Sequence, residues 1–353
     1  MGDFFLKKFI SVFLSFVFVI SVCFSVNAQT FCDSAKSAVV VNSQNGEIIY
    51  GHNQFDKLSM ASTTKIMTCL IACESDKLYE TVNITSDMLF SEGSSLGLKS
   101  GDKITLFDLV CGMLLASGND AADATAIFLG GSIEKFAEMM NEKAKQIGMN
   151  STNFVTPSGL DSKNHYSTAY DMALLTSVAL NNKVFASLCS KKCADILISD
   201  KKVTLYNHNK LLSRIDGCNG VKTGFTKKSG RCLVSSVTKN DLTLICVTLN
   251  DFDDWHDHEK LYEICFSKYQ NISLYNEVYV DVVGGNKDKL KGISDETIMV
   301  KDKSLVTVKK KIFPFIYAPV KKGDEIGEVL CYYNGNLIKK VKIKAEEYIE
   351  YVE

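Results

Sequence analysis

Two β-hairpin patterns bracket a long helical stretch of this chain, and they constrain its fold more than any other feature. Residues 37–41 and 47–50 are strand-like runs on either side of Gln44-Asn45-Gly46, and Asn-Gly is a strong short hairpin signal. A second pattern joins 232–237 to 242–249 across Lys239-Asn240-Asp241. Between the hairpins, helical periodicity runs over 63–73, 106–115, 133–147 and 169–180. Strands at both ends with helices between predict one sheet completed by distant pieces of chain and covered by helices. Asp253-Asp254 suits a helix N-terminus and precedes a closing helix over 255–266. From about Tyr275 the texture changes. Val278, Val280 and Val282 alternate with polar or aromatic residues, and 297–300, 305–308, 329–333 and 341–345 are short strand-like runs. The expectation is α+β: an antiparallel sheet covered by helices, then a small all-β domain of roughly 75 residues.

Hydrophobic residues make up 46% of the 353 and charged residues 23%, enough to build a substantial globular core. A formal net charge of −1 gives no basic surface for nucleic acid. At the N-terminus, Lys7 and Lys8 precede an apolar run over 9–26 that ends in Val26-Asn27-Ala28, the pattern of a signal peptide spanning 1–28. Left uncleaved, the same run approaches bilayer-spanning length and would tether the protein to the membrane. Lipidation at Cys23 fits less well, because Val22 is bulky for the position before a lipidated cysteine. Either way the chain is expected to be exported, working at the outer face of the cytoplasmic membrane, in the cell wall or as a secreted protein. Its 12 cysteines are scattered singly through apolar stretches, as at Cys111, Cys232, Cys246 and Cys265. Cys69/Cys73 and Cys189/Cys193 stand four apart, each pair read as one face of a helix with no histidine near. They read as buried thiols acting as small hydrophobes in a habitat that does not oxidise thiols strongly, and no metal site is expected.

Ser62-Thr63-Thr64-Lys65 opens the first helical run. Positions i and i+3 share a helix face, so the Lys65 amine reaches the Ser62 hydroxyl. A serine needs an adjacent base to become a nucleophile, and a lysine serves only when burial or a neighbouring cation lowers its pKa. The helix start also points N–H groups toward developing negative charge. The four-letter pattern is not specific, since Ser132/Lys135, Ser199/Lys202 and Ser236/Lys239 fit it too. Ser117-Gly118-Asn119 follows a helix and could set a hydroxyl and an amide in a cleft, although Ser43/Asn45, Ser151/Asn153 and Ser162/Asn164 share its spacing. Lys222-Thr223-Gly224, echoed by Lys228-Ser229-Gly230, precedes the second hairpin. There a cation and a hydroxyl on a strand edge would bind a carboxylate, and a glycine would let a ligand backbone come close.

Order and context make these groups specific. S-x-x-K, S-x-N and K-T-G follow one another at separations of 55 and 105 positions, at a helix start, after a helix and on a strand. The surrounding Ala61-Ser62-Thr63-Thr64-Lys65-Ile66-Met67-Thr68, Ala116-Ser117-Gly118-Asn119-Asp120-Ala121-Ala122 and Gly220-Val221-Lys222-Thr223-Gly224-Phe225-Thr226 resemble low-molecular-mass penicillin-binding proteins of the serine D-alanyl-D-alanine carboxypeptidase group. So do Pro157-Ser158-Gly159-Leu160-Asp161, Ser167-Thr168-Ala169-Tyr170-Asp171-Met172-Ala173 and Gly230-Arg231-Cys232-Leu233-Val234.

The resemblance implies a penicillin-binding, serine β-lactamase-like catalytic domain over 29–270 and a β-rich C-terminal domain over 275–353. It implies that Ser62 attacks the bond between two D-alanines in peptidoglycan stem peptides while Lys65 takes its proton. Ser117 would relay a proton to the leaving D-alanine, with Lys222 near and helping to keep Lys65 neutral. Asn119 would bind the peptide amide, Thr223 the terminal carboxylate with Gly224 beside it, and the N–H groups of Ser62 and Phe225 would form the oxyanion hole. β-Lactams would acylate Ser62, and no cofactor is required. Some family members carry an arginine after the second hairpin, where this chain reads Leu249-Asn250-Asp251-Phe252-Asp253-Asp254-Trp255, so the carboxylate would rest on Thr223, Lys222 or another group. Two rivals share the motifs: a β-lactamase, against which stands the lack of an E-x-x-L-N element between Asn119 and Lys222, and a non-catalytic penicillin-binding scaffold, against which stands the full motif set. His256, His258 and Glu259 read as a solvated helix start rather than a metal site. His165 reads as structural, and His52 and His208 belong to no constellation.

Overall fold

The computed structural model describes Cys32 and residues 34–352, so the signal-peptide reading of 1–28 lies outside the described residues. Both sequence hairpins form. β1 (Ala35–Asn42) turns through Gly46 at φ +70° into β2 (Ile48–His52). β3 (Cys218–Thr226) carries the K-T-G group. β4 (Gly230–Lys239) turns into β5 (Leu242–Asp251) through Asn240 and Asp241, both at positive φ as a tight hairpin turn demands. The sheet order is β2-β1-β5-β4-β3, antiparallel throughout, so the N-terminal hairpin completes a sheet begun far along the chain.

Central strands β4 and β5 are buried for most of their length because helices cover both faces of the sheet. The covering helices are α1 (Lys65–Glu74), α2 (Leu106–Leu115), α3 (Asn119–Gly130), α4 (Ile133–Gln146), α5 (Ala169–Asn181), α6 (Lys183–Cys189) and α7 (Asp254–Ser267). Val39, Val41, Val234, Ile245 and Val247 point into the main core with α1 through α6. On the alternate face, Ser235 and Thr248 meet α7 through His258. Each fully buried aliphatic side chain in this core contributes about 1.5–3 kcal/mol. Side-chain caps define the helix starts: Thr105 accepts from the Asp108 N–H, Ser132 from Lys135 and Thr168 from Asp171.

Helix α3 has no counterpart in the sequence reading. It is buried on every side from Asn119 to Ala126, so it shows no polar face and no amphipathic period. The Cys189/Cys193 reading is corrected: Cys189 ends α6 while Cys193 begins the strand Cys193–Ile198, so they share no helix face. All the described cysteines are free thiols.

After α7, the chain forms a second sheet from β6 (Asn276–Val283), β7 (Lys289–Ser294), β8 (Val306–Ile312), β9 (Phe315–Tyr317), β10 (Glu325–Tyr333) and β11 (Asn336–Ala345), in the order β8-β10-β11-β7-β6-β9. It has its own core, with Leu274, Leu290, Ile326, Val329 and Ile343 at the centre. Lys339 reaches back to Asp241 in the β4–β5 turn at 2.6 Å, and Asn240 bonds Asn271 at 2.9 Å. Among the described residues, no single helix is long and apolar enough to cross a membrane.

Candidate active site

Ser62 lies in a 3-10 turn, Ala61–Thr64, which runs directly into α1, so Ser62 and Lys65 face the same way one turn apart. Lys65 is fully buried and its Nζ makes three polar contacts: Ser62 Oγ at 3.0 Å, Asn119 Oδ1 at 2.7 Å and the Ser158 carbonyl at 2.7 Å. Burial and then the neighbouring Lys222 charge hold its pKa well below the ordinary lysine value. A neutral amine has two hydrogens and one lone pair. In the structure Nζ donates to all three; once the amine is neutral, with Asn119 and Ser158 accepting its two hydrogens, the lone pair is left for the Ser62 O–H. The three partners thus fix the Lys65 amine beside the Ser62 hydroxyl.

The decoy S-x-x-K groups fail on geometry. Ser132 is spent as the cap of α4, Ser199 sits in a turn, and Ser236 and Lys239 lie in strand β4, where i and i+3 point to opposite faces.

Lys222 lies on β3 at the sheet edge and is almost completely buried. Desolvation brings its pKa down to about 8, and its Nζ donates to the Thr223 carbonyl at 2.8 Å. Gly224 is required by close approach: a Cβ there would stand 3.0 Å from the Ser62 nitrogen and 3.1 Å from the Met60 oxygen. This brings the β3 backbone alongside the nucleophile's N–H. Ser117, at φ +62° between α2 and α3, lines the same cleft as Ser62, Thr223, Gly224 and Phe225, whose ring is exposed. The cleft encloses about 280 Å³.

Asn119 is placed differently from a free substrate ligand. Its Oδ1 accepts from Lys65 and its Nδ2 donates to the Glu92 carbonyl, so both ends of the amide are engaged within the protein. The next residue, Asp120, accepts from Ser95 Oγ at 2.6 Å and from the Leu96 and Leu98 N–H groups, holding a loop whose Ser94 lines the cleft.

Several residues escaped the sequence reading. His208, assigned there to no constellation, lines the cleft, and burial and the Lys222 charge lower its pKa. Arg231, Asp254 and Trp255 line it as well. His258 is not solvated but fully buried, its ring nitrogens bonded to Ser235 Oγ at 2.7 Å and Thr248 Oγ1 at 3.1 Å, with its pKa lowered to about 3 by desolvation. His165 is structural: Thr64 Oγ1 bonds one ring nitrogen at 2.8 Å, and the Val155 N–H donates to the other at 2.9 Å. None of these signals is local in sequence.

Residues 25–253 match the family described as D-alanyl-D-alanine carboxypeptidase, and residues 269–351 match the C-terminal domain of penicillin-binding protein 5. D-alanyl-D-alanine carboxypeptidase DacF of Bacillus subtilis is 32% identical over 332 residues, 89% of this chain and 85% of the relative. DacC of Escherichia coli is 32% identical over 340 residues, 90% and 84% of the two chains. Among solved structures, penicillin binding protein 5 of Haemophilus influenzae has a TM-score of 0.64 at 27% identity, covering 90% of this chain and 98% of that one. Sequence likeness over nearly the whole chain and a fold shared with solved relatives agree with the geometry around Ser62: the chain belongs to the D-alanyl-D-alanine carboxypeptidase family of serine-type hydrolases.

Proposed function

We propose that the chain removes the terminal D-alanine from peptidoglycan stem peptides ending in D-Ala-D-Ala, through an acyl-enzyme on Ser62. The observation that carries this reading is the buried Lys65 amine, depressed in pKa and held 3.0 Å from Ser62 Oγ by two other acceptors. Ser62 Oγ attacks the carbonyl carbon of the D-Ala–D-Ala bond while its proton passes to Lys65. The Ser62 and Phe225 N–H groups receive the developing oxyanion, each worth roughly 3 kcal/mol in the transition state. The C–N bond then breaks as Ser117, near protonated Lys222, gives its proton to the leaving amine and takes in its place the proton held by Lys65. Lys65 is then neutral again and free to take a proton from the attacking water. Water hydrolyses the ester and returns the proton, restoring Ser62. Asn119 acts in this scheme by holding Lys65, and Thr223 beside Gly224 meets the substrate C-terminus.

β-Lactams mimic the substrate and acylate the same serine. This substrate exists outside the cytoplasmic membrane, so the enzyme works there after export directed by residues 1–28, or tethered through them if uncleaved. Residues 29–270 form the catalytic domain and 275–353 the C-terminal domain of this reading.

The test is release of D-alanine from diacetyl-Lys-D-Ala-D-Ala by the purified chain beside a Ser62→Ala variant. Release that vanishes in the variant supports the reading, and no release by folded wild-type protein overturns it. Rapid recovery of free enzyme after penicillin would instead indicate a β-lactamase.

A further inference from the structure

A substrate ending in D-alanine presents a carboxylate to the cleft, and the inference here rests on that reading. The two lysines of the site are poor receivers for it. Neither is among the residues that line the cleft: Lys65 and Lys222 are buried, and the amine of each is bonded inside the protein. Arg231 also lines the cleft, and a guanidinium stays charged at any working pH.

Its position follows from strand register. On the β3–β4 ladder Arg231 pairs with Phe225, and Leu233 pairs with Thr223. Directly paired residues share a sheet face, as do residues two apart on one strand, so Arg231 stands on the Thr223 and Phe225 face. It is one diagonal step from Thr223, within reach of a long side chain.

Its orientation is set from outside the strand. Nε and Nη2 donate to Asp254 Oδ1 at 3.0 and 2.6 Å, and the guanidinium carbon lies 5.5 Å from the centre of the Trp255 ring. The Asp254 side chain is 3% exposed and the Arg231 side chain 40%, so the buried carboxylate anchors a guanidinium that opens to the cleft. Both Asp254 bonds fall on the Nε–Nη2 edge. The five-donor guanidinium keeps its Nη1–Nη2 edge, the fork whose spacing matches the two oxygens of a carboxylate. Asp254 opens α7, where a negative charge suits the helix N-terminus, so the anchor is itself fixed.

We propose that Arg231, oriented by Asp254 and Trp255, receives the C-terminal carboxylate of the substrate beside Thr223 and makes the enzyme selective for peptides with a free C-terminus. Strand β4 thereby supplies the cation that the segment after the second hairpin lacks. Asp254 is a positioning residue: it touches the guanidinium rather than the peptide, and it balances the charge of the empty cleft.

The experiment compares kcat/KM of the full chain on diacetyl-Lys-D-Ala-D-Ala and on its C-terminal amide, in wild type, Arg231→Ala, Arg231→Lys and Asp254→Asn. Charge-assisted hydrogen bonds of this kind predict a ~10- to 100-fold loss on the free acid in Arg231→Ala, chiefly through KM, with the amide changed less than about threefold. Arg231→Lys recovers part of the loss, and Asp254→Asn falls between wild type and Arg231→Ala. The acid-to-amide ratio is internal to each protein, so a partly unfolded variant does not imitate the effect. An unchanged ratio, or an equal fall on both substrates, overturns the assignment of Arg231. Absence of D-alanine release by wild type overturns the carboxypeptidase reading itself.

Discussion

Gly159 lies against the nucleophile turn, and replacing it with alanine probes how firmly that turn is held. The residue sits at φ +86°, and a Cβ there would fall 1.9 Å from the Ala61 carbonyl oxygen, 2.5 Å from its carbon and 2.8 Å from Thr64 Oγ1. Real Cβ contacts do not go below 3.0 Å, so the two backbones must separate by about 1.1 Å. The neighbouring Ser158 carbonyl accepts from Lys65 Nζ at 2.7 Å, and a displacement of that size pulls the bond past useful length. Left-handed strain costs roughly 1–2 kcal/mol and a buried acceptor left unpaired roughly 1–3, so Gly159→Ala should lose about 2–5 kcal/mol of stability. Moving Ser62 or Lys65 by about 1 Å should lower kcat on diacetyl-Lys-D-Ala-D-Ala by about 100-fold. Gly131→Ala is the control, because Gly131 has φ +79° at the end of α3 and open space around its Cβ position. That variant bears the backbone strain alone and keeps its turnover. Urea unfolding and D-alanine release measured on both separate strain from displacement. Turnover of Gly159→Ala within a few-fold of Gly131→Ala would refute the claim that this contact sets the nucleophile's position.

Burial brings the Lys222 pKa down to about 8, and after burial itself the Lys222 ammonium is the next cause that depresses Lys65, so kcat/KM should fall as pH rises through about 8. Lys222→Gln should remove that limb, lower kcat/KM at pH 7 by about 100-fold or more and move the acid limb to higher pH, and an unmoved acid limb in the pH–rate profile would count against the coupling. His258 has its pKa lowered to about 3, so the unfolded chain binds the extra proton between the ordinary value of 6.5 and about 3, and stability is lost as pH falls through that window. The advantage of wild type over His258→Gln in urea unfolding should shrink by ~1.4 kcal/mol per pH unit there, reaching about 2.7 kcal/mol at pH 4.5, and a pH-independent difference would contradict a buried neutral ring.

Several local features were legible in the chain, although the shared helix face of Cys189/Cys193 and the solvated His258 were not borne out. Helix α2 runs over the residues its periodicity marks, because its apolar stripe and its Thr105 cap are written within ten residues of each other. The hairpins at Gly46 and at Asn240-Asp241 follow from the few residue types that accept positive φ. Of the sequence words around Ser62, Ser117 and Lys222, the fold brings Ser62, Ser117, Thr223 and Gly224 to one cleft, with Lys222 buried behind it. By contrast, α3 carries no amphipathic signal, since a helix surrounded by protein has no wet face to record.

The division between sequence and tertiary structure is sharpest at the lysines and at Arg231. Ser62-Thr63-Thr64-Lys65 by itself determines that a hydroxyl and an amine share a helix face, and the same is true in form of Ser132/Lys135. Only folding sets one pair apart: Asn119, Ser158 and Lys222 come from three distant segments to surround the buried Lys65 and lower its pKa, while Ser132 ends as a helix cap. Likewise Gly230-Arg231-Cys232 states no role for its arginine. The register of β3 against β4 and the arrival of Asp254 on α7 turn it toward the cleft. Propensity and turn chemistry act within a few residues, so they are legible in order along the chain. Burial, charge and orientation depend on which remote residues become neighbours, and that is decided when the sheet closes.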